Sequence, residues 1–206
     1  QAAASGLVII TGGPGTGKTT VINTIIRYFE QEGLELRLAA PTGRAAKRMT
    51  EATGYQAQTI HRLLELNGGV ETDSEAGIHF ERNAQNPLEA DVVIIDEMSM
   101  VDIYLAHALL EAVVPGTHLI LVGDVNQLPS VGPGNVLKDI IHSGAFPVIE
   151  LSTVYRQEEG SDIVMNAHRI NHGEYPVMNN KSRDFFLLPR ANPQAVIEEV
   201  GKLVSV

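Results

Sequence analysis

Short apolar runs alternate along the chain with longer stretches in which apolar residues recur at helical spacing. Leu7-Val8-Ile9-Ile10 and Asp91-Val92-Val93-Ile94-Ile95 are the most strand-like, and 34–40, 118–122, 148–151 and 185–188 share their character. Between and after these runs, helical periodicity predicts helices near 18–32, 44–53, 59–66, 101–114, 136–142, 163–172 and 193–204. Strands that are apolar at almost every position are buried on both faces, and strands that alternate with helices form parallel sheets. The pattern therefore predicts a doubly wound α/β domain, a mostly parallel sheet with helices on both faces.

One segment breaks the rhythm. Residues 67–86 are polar and Gly-rich around two weakly alternating stretches, which fits either a small inserted surface hairpin or a disordered loop. The expected division is a first part over 1–66, an insert over 67–90 and the rest of the same domain over 91–206. The chain of 206 residues is of single-domain size, at roughly 100–200 residues per domain. It contains no cysteine, which excludes disulfide scaffolds, thiolate metal sites and thiol nucleophiles and makes a reducing cytoplasm the expected setting. No apolar run is long enough to span a membrane. The net charge of −10 weighs against a surface that grips nucleic acid everywhere, while leaving room for a local basic groove. The opening residues, Gln1 to Ser5, lack both a Met and a basic leader region and read as a cut end.

The chemistry begins after the first strand. Gly12-Gly13-Pro14-Gly15-Thr16-Gly17-Lys18-Thr19, followed by Thr20, matches the phosphate-loop pattern between a strand and a helix. Glycines let backbone N–H groups converge on a phosphate, and the helix N-terminus adds its positive end. Lys18 is positioned for the β- and γ-phosphates of a nucleoside triphosphate, and the Thr19 hydroxyl for Mg²⁺. Asp96 and Glu97 end the most apolar strand, where parallel sheets bind ligands. Asp96 suits Mg²⁺, and Glu97 suits a base that polarises the attacking water.

Two residues carry open alternatives. Gln127, in Gly123-Asp124-Val125-Asn126-Gln127, fits either a γ-phosphate sensor or an ordinary polar turn. Arg156 fits either a donor to the transferring phosphoryl group or a surface ion pair.

Taken in order, GGPGTGKTT, APTGRAAKRM, QAQTIHRLLE, VVIIDEMSMVD, LVGDVNQLPSVGPGNVLKDII and LSTVYRQ resemble the first, RecA-like motor domain of superfamily 1 DNA helicases of the RecD-like group. That group includes the exodeoxyribonuclease V alpha subunit. The resemblance implies an ATP- and Mg²⁺-driven 5′-to-3′ translocase on single-stranded DNA, with other subunits of a helicase–nuclease complex as candidate partners. It implies that Gln127 is the phosphate sensor and Arg156 the arginine of a later motif. It also implies that Pro41, Thr42, Gly43 and Arg44 form a first DNA-contacting motif and Thr59, His61 and Arg62 a second, and that residues 67–86 sit where such helicases carry a duplex-splitting hairpin.

The residues themselves give the DNA side modest support. Arg44, Lys47 and Arg48 share one helix face, which fits a strand track or simply a solvated face. His61 fits a packing or capping role equally well. These helicases carry a second motor domain, and the chain ends before one. It is therefore expected to bind Mg-ATP weakly and to hydrolyse it very slowly, because a missing arginine finger costs on the order of 10³–10⁵ in rate. The helicase half of a conjugative relaxase and a non-motor phosphate-loop ATPase are the alternatives.

Overall fold

The computed structural model describes residues 5–66, 79–153, 161–179 and 181–204, and Arg156 and most of the 67–86 insert lie outside them. The chain divides into two compact units, 1–155 and 156–206.

The first unit is built on six parallel strands: β1 (Leu7–Gly12), β2 (Leu36–Ala40), β3 (Ala57–Thr59), β4 (Val92–Ile95), β5 (His118–Gly123) and β6 (Val148–Leu151). Their order across the sheet is β3-β2-β4-β5-β1-β6. Helices α1 (Lys18–Gln31), α2 (Gly43–Thr53), α3 (Ile60–Leu63), α4 (Ile103–Ala112) and α5 (Val136–Ser143) connect the strands.

The unbroken apolar runs have a direct cause. In β4, Val92 and Ile94 point to one face and Val93 and Ile95 to the other, and all four are fully buried. The first face packs on Ile22, Ile26 and Phe29 of α1 and Met49 of α2. The second packs on α3, α4 and α5 through residues such as Ile60, Leu63, Leu109 and Leu137. With both faces covered, no strand position is left for a polar residue, so alternation disappears.

Helix starts follow capping chemistry. Thr42, Thr59 and Asp102 each accept a backbone N–H two or three residues into α2, α3 and α4. The α1 start differs, because Gly17 occupies its N-cap position in a left-handed conformation and supplies no side-chain cap.

The strand expected at 118–122 forms and lies inside the sheet, between β4 and β1. Two sequence expectations shift. The helix expected over 59–66 shortens to four residues, because Leu64 and Glu65 turn and Leu66 bridges Phe80 in an antiparallel pair. The run 185–188 forms no strand: it belongs to the second unit, whose described residues contain no sheet for it to join, and Phe186 and Leu188 stay exposed. An apolar run signals burial potential, and without a neighbouring strand it remains merely extended.

The second unit holds α6 (Asp162–Asn171) and α7 (Pro193–Val204). Ser161 caps α6 and donates its hydroxyl to Asp184 at 2.6 Å, while buried Asn166 clasps the Val177 backbone through both amide atoms. Among the described residues no helix is long and apolar enough to cross a membrane.

The two-sided burial of β4 sets a stability expectation. Ile94→Ala should cost about 2–5 kcal/mol through lost burial and the cavity left behind. Leu128→Ala, at an exposed loop position, should change stability by less than about 0.5 kcal/mol. Urea denaturation of the two variants checks the contrast.

Candidate nucleotide and nucleic-acid sites

All the motif residues in the described part of the first unit sit at the C-terminal ends of its strands. β5 lies between β1 and β4, so three connections meet side by side: the loop Gly12–Lys18 after β1, Asp96–Glu97 after β4, and Asp124–Gln127 after β5.

The loop after β1 is shaped by its glycines. A Cβ on Gly12 would fall 2.6 Å from Thr16 Oγ1 and 2.8 Å from the Leu151 carbonyl oxygen, so nothing larger fits where β1 leaves the sheet beside β6. Gly15 and Gly17 have φ of 72° and 85°, a region that favours glycine. The Thr16 hydroxyl is buried and donates to the Gly13 carbonyl at 2.9 Å. Lys18 Nζ donates to the carbonyls of Gly12 and Gly13 at 2.7 and 2.9 Å, which holds its charge against the loop. Thr19 and Thr20 are exposed in the first turn of α1. That turn has neither a side-chain cap nor an acidic residue, so its backbone N–H groups remain available to an anion, as phosphate binding requires.

The acidic pair is half-buried. Asp96 Oδ1 accepts the Glu97 backbone N–H at 2.8 Å. Burial pushes the Asp96 carboxyl above its ordinary range, against that hydrogen bond and the charges of Lys18 and Arg48. Burial and then the neighbouring Asp96 charge push Glu97 up as well, again opposed by Lys18 and Arg48. Glu97 leaves the strand at φ 53°, a strained conformation for a non-glycine residue, and its Oε2 is buried with no hydrogen-bond partner. A carboxylate oxygen held without a partner beside a phosphate loop suits an acceptor for a proton from water.

Gln127 is exposed on a turn in which its N–H donates to the Asp124 carbonyl at 3.2 Å. Asp124 is the buried member of that turn, where its Oδ1 accepts the Asn126 N–H and its charge adds to the field at Glu97. Its sequence signal was an Asp placed directly after a buried strand. A Cβ on Gly123 would meet Leu137 Cδ2 at 2.7 Å and the Met98 and Ser99 amides at 3.3 and 3.2 Å, so the ends of β4 and β5 are in close contact.

The other motif residues gather at the opposite edge. Ala40 and Thr59 are register partners, which brings Pro41–Arg44 beside Thr59–Arg62. The Thr42 and Thr59 hydroxyls accept N–H groups of α2 and α3 at 3.2 Å and each retains an O–H to donate. Arg44, Lys47 and Arg48 are exposed, and Lys47 faces Glu51 at 3.8 Å. Thr59, His61 and Arg62 line a cleft of about 610 Å³ together with Arg37 and Arg82. Arg37 comes from β2 and Arg82 from the C-terminal part of the insert, and both became visible only in three dimensions. His61 also stacks obliquely on Phe80, with centroids 5.9 Å apart, so it packs while lining the cleft. Phe80 bridges Leu66, and the Glu81 and Arg82 amides donate to Glu65 and Leu64, which ties the two ends of the insert together as an antiparallel pair.

A family model described as an AAA domain matches residues 1–133. Over 88% of its length the chain is 42% identical to the ATP-dependent RecD2 DNA helicase of Deinococcus radiodurans, of which it spans 24%. Over 82% of its length it is 40% identical to the RecBCD enzyme subunit RecD of Mycolicibacterium smegmatis, of which it spans 34%. The chain thus covers between a quarter and about a third of these relatives. A Pif1 helicase solved in a study of unwinding at forked double-stranded DNA superposes with a TM-score of 0.53 at 26% identity, covering 84% of this chain and 45% of the Pif1 chain. The Pif1 helicase of Candida albicans gives 0.55 at 22% identity over 99% of this chain and 52% of its own, a likeness of fold.

The raised Glu97 carboxyl has a consequence for stability. Between its ordinary value and its raised one, the folded chain keeps a proton that the unfolded chain has lost, so stability falls as pH rises through that window. Glu97→Gln escapes the penalty. It should unfold at a higher temperature than the native chain at about pH 7, with the gap narrowing toward about pH 4, as calorimetry can read.

Proposed function

Because the chain belongs to the AAA domain family, and within it is a RecD-like superfamily 1 first motor domain, we propose that it is the ATP-binding half of a 5′-to-3′ DNA helicase motor that couples Mg-ATP hydrolysis to movement along single-stranded DNA. The observation that carries this reading is the sheet order. It sets the phosphate loop, the acidic pair and the Gln127 turn side by side, with the Thr42 and Thr59 helix starts just beyond β4 at the same C-terminal ends of the strands.

Each residue then has a task. The backbone of Gly13, Pro14, Gly15, Thr16 and Gly17, with the first turn of α1 through Thr20, wraps the phosphates, and Lys18 neutralises them. Thr19 and Asp96 would hold Mg²⁺, which when bound draws charge from the phosphate oxygens. Glu97 accepts a proton from the attacking water, and Gln127 orients that water or the γ-phosphate. Arg156 would add a planar donor to the transferring group. Pro41, Thr42, Gly43, Arg44, Thr59, His61 and Arg62 hold the strand, with the two threonine O–H groups and the arginines directed to phosphates. Directional stepping needs a second motor domain to close on the nucleotide, so this chain alone should turn ATP over very slowly. Partner subunits, as for the relative described as a RecBCD enzyme subunit, and a cytoplasmic setting belong to the same reading.

The test measures Mg-ATP binding and steady-state hydrolysis with and without single-stranded DNA. The native chain should bind Mg-ATP, Lys18→Ala should weaken binding at least about tenfold, and turnover should stay near background. Nucleotide binding indifferent to Lys18 would overturn the phosphate-loop assignment. Strand separation by the chain alone would overturn the need for a second motor domain.

A further inference from the structure

Beside the cleft that holds Thr59 and Arg62 lies a second one of about 720 Å³, between the base of the insert and α4. His61 and Arg82 line both clefts. The second differs from the first in chemistry. Its walls present the rings of His61, His79, Phe80, Tyr104 and His107. Tyr104 stands 73% exposed on α4 although it is a large aromatic residue in the first turn of a helix. Across from it, Phe80 is fixed by its bridge to Leu66 and its contact with His61, so one side of the cleft is rigid.

The charged side chains lining this cleft each have a contact of their own. Arg82 is held by Glu65 at 2.9 Å and by the Pro87 carbonyl at 3.2 Å. Asp102 caps α4 through Oδ1, and Glu111 faces His107 at 3.7 Å. A phosphate would find no uncommitted arginine or lysine among the described lining residues and would meet two carboxylates. A flat aromatic ring with amide-like edges would find ring faces to stack on, and the exposed Gln85 side chain at the margin could meet its edge.

We propose that this cleft, between Phe80 at the root of the insert and Tyr104 on α4, takes a nucleobase of single-stranded DNA whose backbone runs over Thr59 and Arg62, with His61 as the shared wall. The assignment rests on the strand-binding reading of Thr59–Arg62 and adds to it a pocket that reads the bases' faces rather than the phosphates. Stacking on aromatic rings is tolerant of base identity, which suits a protein that must move along any sequence.

The test uses the full chain and a single-stranded oligonucleotide carrying a fluorescent 2-aminopurine, at a stated low salt concentration. Native chain should bind it and quench the base. Tyr104→Ala, at a position too exposed to unsettle the core, should weaken binding about fivefold or more and abolish the quench, and Tyr104→Phe should restore both. An oligonucleotide abasic at the probed position should bind native chain and Tyr104→Ala equally. If Tyr104→Ala binds and quenches like the native chain while Arg62→Ala weakens binding, the base pocket is overturned and the strand reading stands. If Arg62→Ala is equally without effect, or the native chain does not bind the strand, both fall together.

Discussion

The Asp96 backbone amide donates to the Ala39 carbonyl at 2.9 Å. That bond extends the β2–β4 ladder to its last residue, just before each strand breaks into its functional connection. On one side of it, β4 passes its two carboxylates toward the loop after β1. On the other, β2 turns through Pro41 into α2. The candidate nucleotide site and the candidate strand site therefore share a single pair of hydrogen-bonded strand ends. A change in how Asp96 is held has a short path to Thr42, one interstrand hydrogen bond and the backbone from Ala39 to Thr42. The charge of Arg48, borne on α2, opposes the upward shift of both Asp96 and Glu97.

Much of this architecture was legible in the residues because its causes are local. A run such as Val92–Ile95 admits one economical reading, a strand covered on both faces, and both faces are covered. The phosphate-loop glycines are equally direct, since positive φ at Gly15 and Gly17 and the absence of space at Gly12 leave no alternative residue. What the sequence concealed depends on distant partners. The three-residue strand β3 is too short and too mixed to show as a pattern and exists because β2 offers it an edge. The run 185–188 has the opposite problem, apolar character with no edge to join. Arg37 and Arg82 enter their cleft through folding alone, and nothing in their immediate neighbours marks them.

The site itself divides along the same line. The roles proposed for Lys18, Asp96 and Glu97 rest on what kind of group stands at the end of which strand. Gln127 does not separate so cleanly, because its exposed turn is held by Asp124 and would look the same with or without a phosphate to sense. His61 was open between packing and strand contact; its ring packs against Phe80 and also lines the cleft, which leaves room for both.

The loop after β1 shows how such a site divides its work. Lys18 is a flexible point charge, and here two of its three ammonium hydrogens are already given to loop carbonyls. A phosphate arriving at the loop would take up only part of what the ammonium can donate, or would exchange one set of hydrogen bonds for another. The net gain from the lysine is then smaller than its charge suggests. The selectivity must come in large part from the fixed backbone N–H groups of the loop and the uncapped first turn of α1, which have no competing partner of comparable strength. That explains why the glycine geometry is so tightly constrained. The lysine can rearrange at little cost, whereas a Cβ on Gly12 would displace the turn that aims the amides.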